Sequence, residues 1–115
     1  MALNITTGEV DGITVLWLEG RIVLGEETSI LREKVKSVIA DGNKKLILNM
    51  GNITFIDSSG LGALVAAHST AKSHGASLRL CDLGTKFNEL LQITRLLTIF
   101  EVSSTEADAI RSFSK

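Results

Sequence analysis

The residues of this chain best suited to chemistry are contiguous: Asp57-Ser58-Ser59-Gly60-Leu61-Gly62. Ahead of them Leu46-Ile47-Leu48-Asn49-Met50 reads as a buried strand, and behind them Leu61, Leu64, Val65 and His68 recur at the three-and-four spacing of an amphipathic helix. That pattern predicts a helix over Ser58–Ser73, with a carboxylate and two hydroxyls at its start. The first N–H groups of a helix lack intrahelical partners, and the macrodipole gives them partial positive charge. Asp57 or Ser58 can therefore cap this helix, and a phosphate on Ser58 would be tolerated there. Ser58 reads either as a simple cap or as an acceptor of phosphate, with Ser59 the weaker acceptor.

Other chemistries find less support. A serine at a strand-to-helix junction suits a hydrolase nucleophile, but Ser58 lacks the Gly-x-Ser-x-Gly elbow and no histidine follows His74. A phospho-aspartate receiver would need an acidic pair after its first parallel strand, and none is present. A Gly-x-x-x-x-Gly-Lys-Ser/Thr phosphate loop is also missing, which removes support for nucleotide hydrolysis and leaves nucleotide binding open. His68 and His74 are six residues apart, not the spacing of a same-face metal pair, so no metal and no cofactor is expected. Cys81, the one cysteine, lies in the strand-like Leu78-Arg79-Leu80-Cys81 and reads as a small buried apolar residue.

The 115 residues, 44% of them hydrophobic, suffice for one core, so a single domain over residues 1–115 is expected. Twelve basic against 13 acidic residues give a net charge of −1, without the electrostatic footprint of a nucleic-acid or anionic-membrane binder. No apolar stretch approaches the roughly 20 residues that span a bilayer. Met1-Ala2-Leu3-Asn4-Ile5 lacks a basic, signal-like start. The expected setting is cytoplasmic, without membrane insertion, and the expected ligand class is another protein.

The elements that must position the hexapeptide follow from periodicity. Ile13, Val15 and Trp17 alternate with Thr14, Leu16 and Leu18 after the turn signal Asp11-Gly12, which predicts a β-hairpin of Leu3–Thr7 and Ile13–Leu18. Leu31, Val35, Val38 and Ile39 mark a helix over Glu27–Asp41, stopped by Gly42. After the Leu46–Met50 strand and the Ser58 helix come a strand at Ser77–Cys81 and a short helix near Lys86–Ile93. Ile99-Phe100-Glu101-Val102 reads as an edge strand, and Ser103 with Glu106 has capping-box spacing for a last helix through Phe113. Strand–helix–strand repetition implies parallel pairing. The fold class is α/β: a mixed four- to five-stranded sheet with an N-terminal hairpin and about four helices, packed largely on one side.

On a helical wheel Ser59, Gly62, Ala63, Ala66 and Thr70 fall opposite the apolar face. Glycine inside a helix costs roughly 1 kcal/mol relative to alanine, so Gly60 and Gly62 point to close backbone approach. This small-residue face is the expected docking surface.

The pattern resembles the STAS domain, and within it the small single-domain anti-sigma factor antagonists of bacteria. The resemblance rests on Leu48-Asn49-Met50 followed by Thr54-Phe55-Ile56-Asp57-Ser58-Ser59-Gly60-Leu61-Gly62, on Gly20, on Leu80-Cys81-Asp82-Leu83, and on Phe87–Leu97 leading into Ile99-Phe100. It implies a non-enzymatic phosphoprotein: the unphosphorylated form binds an anti-sigma factor that is itself a serine kinase and so frees a sigma factor. Phosphorylation at Ser58 dissolves that complex, and a serine phosphatase restores it. Asp57 is then read as helping the hydroxyl approach the kinase or as an ordinary turn residue. The implied partner surface comprises Asp57, Ser58, Ser59, Gly60, Gly62, Ala63 and Ala66, with Ile22, Val23 and Leu24 from the loop after Gly20. Many members carry an aspartate where this chain has Val23, which bears on the identity of the partner. The cycle works with a monomer and leaves a weak dimer open. Within the same fold, the alternative is a non-switching binding subunit of a transporter or signalling scaffold.

Overall fold

The computed structural model describes residues 3–113. Five strands form one sheet in the order β1 (Leu3–Val10), β2 (Ile13–Ile22), β3 (Lys45–Ile56), β4 (Ser77–Cys81) and β5 (Glu101–Ser103). The helices are α1 (Glu26–Ala40), α2 (Ser58–Ser73), α3 (Thr85–Ile93) and α4 (Glu106–Ser112), with a 3₁₀ turn at Leu96–Thr98. β1 and β2 pair antiparallel from Leu3↔Gly20 to Val10↔Ile13. Asp11 and Gly12 between them both have positive φ, 54° and 79°, the backbone that a two-residue hairpin turn of matching twist requires. The hairpin extends beyond its predicted ends at both strands.

The remaining strand pairs are parallel, so each needs a crossover, and α1, α2 and α3 supply them. Each crossover advances the sheet by one strand in the same direction, and crossovers of one hand then place their helices on one face. Strand parity divides the core accordingly. Leu16 and Leu18 of β2, Leu46, Leu48 and Met50 of β3, and Leu78 and Leu80 of β4 join the main core with Leu31 and Val35 of α1 and Leu61 and Leu64 of α2. Ile13, Val15, Ile47 and Cys81 point to the other face, where Ala109 of α4 covers them with Trp17, Ile110 and Phe113 packed around. Burying a side chain such as Leu64 contributes about 1.5–3 kcal/mol, so these alternating positions fix the register of the sheet.

Several boundaries differ from the periodicity reading. β3 does not end at Met50 but runs on to Ile56, past register shifts opposite Trp17/Glu19 and Gly20/Arg21. The last strand is Glu101–Ser103, and α4 is capped by Thr105, which accepts from the Asp108 N–H at 3.1 Å, in place of Ser103. Glu106 closes no capping box; its Oε1 accepts hydrogen bonds from Trp17 Nε1 at 2.7 Å and Asn49 Nδ2 at 2.9 Å. Trp17 is thus a half-buried strand residue with a satisfied indole N–H.

Candidate functional site at the start of α2

The extension of β3 carries the chain to Asp57 at the end of the sheet, where α2 begins. Asp57 is the N-cap, with extended backbone, and its Oδ1 accepts the Gly60 N–H at 2.7 Å. Its Oδ2 accepts the N–H of Leu24 at 3.0 Å, so the carboxylate joins α2 to the loop between β2 and α1. The amides of Leu24 and then Gly60 hold the Asp57 carboxyl below the usual carboxylate range. Asp57 therefore takes the capping role, and Ser58 occupies the first helical position with its side chain exposed.

Backbone contacts tighten the same junction. The Asp57 N–H donates to the Ile22 carbonyl at 3.2 Å, and Thr54 Oγ1 donates to the Gly20 carbonyl at 3.1 Å. A Cβ on Gly60 would lie 2.0 Å from that same Ile22 oxygen and 2.8 Å from Ile56 Cγ1. The close backbone approach signalled by Gly60 is thus made within the chain, by the end of β2, and Gly60 is buried. Gly62 differs: it is exposed, and nothing lies within 4 Å of where its Cβ would stand.

The helical wheel is corrected at a second position. Ala63 is buried and belongs to the main core with Ala67, because α2 packs against α1 as well as the sheet and so buries more than one stripe. Ala66 is half-buried beside a groove that it shares with Arg32 and Lys36 of α1. From the preceding loop Ile22 is fully buried, Val23 half-buried, and Leu24 exposed at 75%. The accessible surface around the junction is therefore Leu24, Ser58 and Gly62, with half-buried Val23, Asp57, Ser59 and Ala66; Ile22, Gly60 and Ala63 support it from beneath.

An apolar groove of about 280 Å³ adjoins the junction, lined by Met50, Ile53, Phe55, Ile56, Phe87 and Leu90. Phe55 stands 55% exposed at its rim. The strand expected at Leu46–Met50 stops short of this feature; the signal for it was the alternation Ile53, Phe55 and Thr54, Ile56 continuing beyond Met50.

The histidines lie elsewhere. His68 packs edge-on against Phe100 with ring centroids 5.4 Å apart, and exposed His74 bonds the Thr70 carbonyl through Nδ1 at 2.8 Å. Among the described residues no three His, Cys, Asp or Glu side chains are grouped to hold a metal ion. Cys81 is buried, and burial, followed by the charges of Asp82 and Glu106, pushes its thiol up to about 12. Among the described residues no helix is long and apolar enough to cross a membrane.

Known proteins resemble this chain in sequence and in fold. The chain is 22% identical over 110 residues to the anti-sigma F factor antagonist of Paenibacillus polymyxa, covering 96% of this chain and 94% of that one. It is 29% identical over 82 residues to the anti-sigma-B factor antagonist of Bacillus subtilis, 71% and 74% of the two chains. The crystal structure of an anti-sigma factor antagonist from Mycobacterium paratuberculosis superposes with a TM-score of 0.84 at 20% identity, over 98% of this chain and 95% of that one, and shares its fold. The STAS domain profile matches residues 4–109, and the chain belongs to the STAS domain family.

Proposed function

We propose that this chain is an anti-sigma factor antagonist whose single STAS domain works by binding in the cytoplasm, and that phosphate on Ser58 switches the binding off. The unphosphorylated form binds an anti-sigma factor with serine kinase activity and so releases a sigma factor; a serine phosphatase resets the cycle. The role named for its relatives supports the first part. The observation that carries the second is the placement of Ser58: exposed, at the first position of α2, beside a carboxylate already committed to the Leu24 and Gly60 amides.

Phosphorylation adds about −1.5 to −2 charges and three acceptor oxygens. At a helix N-terminus the fold can accept that charge, whereas an interface formed around a neutral hydroxyl must desolvate it. Each 1.4 kcal/mol of that cost is about tenfold in affinity. A role for Leu24 and Val23 as the apolar part of the contact surface fits the same reading, since the Asp57–Leu24 bond ties their loop to the serine.

Phosphopeptide mass spectrometry on protein from its native cells, with fragmentation that separates Ser58 from Ser59, tests the switch. Substoichiometric phosphate on Ser58 that varies with growth conditions is the expected result. Unmodified Ser58 under all conditions, with the protein constantly held in another complex, would overturn it in favour of a non-switching binding subunit.

A further inference from the structure

The two edges of the sheet are built differently. β5 presents three residues and is followed at once by α4, so that edge is short. β1 presents eight, Leu3–Val10, and no described strand pairs with its outer side. In an antiparallel ladder half of a strand's N–H and C=O groups face its neighbour and the other half face away. The outer half of β1 is thus an open template, and proteins ordinarily blunt such an edge with lysine, proline, a bulge or a covering segment. β1 pairs with β2 without a register shift, and its sequence Leu-Asn-Ile-Thr-Thr-Gly-Glu-Val contains no lysine, arginine or proline.

We propose that β1 pairs antiparallel with β1 of a second copy of this chain across a two-fold axis, joining two five-stranded sheets into one. An isologous pairing requires the edge to be complementary to itself. Glu9 is the strand's one charge, and it meets its own copy only if the axis passes through it, which would pair no more than Gly8–Val10. Any longer overlap sets Glu9 opposite an uncharged residue or leaves it beyond the pairing, and the longest overlaps centre on Thr6 or Thr7.

A second feature continues the edge on the helix side. Between β1 and α1 lies an open groove of about 500 Å³ whose apolar residues are Leu3, Ile5 and Ile30, with Glu33 and Lys34 at its rim. A two-fold axis normal to the sheet keeps α1 of both copies on one face and runs them antiparallel beside each other. The groove beside Leu3 and Ile5 of each copy then lies alongside the Thr7–Val10 half of the other copy's β1, which narrows its open side.

Sedimentation velocity over a dilution series, paired with amide hydrogen exchange of the same samples, tests this. The expected result is a mass that rises from one chain to two with concentration, while β1 amides that exchange freely in the dilute sample become protected. Thr6→Lys, confirmed as folded by far-UV circular dichroism, sets like charges across the axis and is expected to raise the dissociation constant at least tenfold. A one-chain mass up to the solubility limit would overturn the proposal. So would a dimer whose β1 amides gain no protection, or a folded Thr6→Lys chain that dimerises as before.

Discussion

The carboxylate of Asp57 accepts the backbone amide of Leu24 at 3.0 Å, across 33 positions of sequence, while its other oxygen caps α2 through Gly60. One side chain thereby makes the loop after β2 and the start of α2 a single surface, with Leu24 and Ser58 displayed from its two parts. The junction is held by the charged form of the acid. Leu24 and Gly60 together hold the carboxyl below its ordinary value in the folded chain.

A lowered folded-state value means that the unfolded chain takes up protons first as pH falls. The contribution of Asp57 is fully present above the ordinary carboxylate range and is lost as pH drops through the lowered value. Urea unfolding of the parent chain and Asp57→Asn between neutral and acid pH should show the difference between them greatest at neutral pH and shrinking on acidification. A difference that stays constant through the carboxylate range would show that the charge is not what holds the junction.

Gly60 and Gly62, two residues apart in one helix, should respond to alanine in opposite directions. At Gly60 the new Cβ meets the Ile22 carbonyl oxygen at 2.0 Å, so the end of β2 or the helix must move, at a cost of about 1–3 kcal/mol. At Gly62 the space is open, and the gain in helix propensity is about 0.8–1 kcal/mol. Thermal or urea midpoints decide both, and a Gly60→Ala chain as stable as its parent would contradict the packing of β2 on α2.

Glu106 fastens α4 across the sheet by its bonds to Trp17 and Asn49. Glu106→Ala leaves the indole N–H and one amide N–H short of an acceptor, and the expected destabilisation is about 1–3 kcal/mol. Because Trp17 is the only tryptophan, its fluorescence reports the change directly, with emission expected to move to longer wavelength as water reaches the ring. Glu106→Gln keeps an oxygen acceptor and should lose less.

The Cys81 thiol, pushed up to about 12 and buried between the sheet and α4, is expected to resist alkylation in the native chain at neutral pH. Iodoacetamide labelling followed by intact mass should show slow modification that accelerates with denaturant. Rapid labelling without denaturant would mean that α4 leaves the sheet readily.

Local pattern was enough where one period dominated. The bounds of α2 at Ser58–Ser73 and of β4 at Ser77–Cys81 coincide with those read from the spacing of apolar residues, as does the presence of α1, the hairpin and a mixed sheet. These depend on side-chain periodicity and turn chemistry carried by neighbouring residues, which the sequence by itself determines. Tertiary structure decided the rest. Ala63 is buried because α1 packs on α2, a fact that no single-helix wheel contains. Gly60 answers to a carbonyl 38 positions earlier, and Asp57 caps α2 while also binding an amide in another loop. β3 continues to Ile56 because β2 is there to pair with it, and Glu106 turns from a capping box to Trp17 and Asn49 because α4 packs on the second face. Each of these outcomes depends on a partner distant in sequence, and only the folded chain brings that partner within bonding distance.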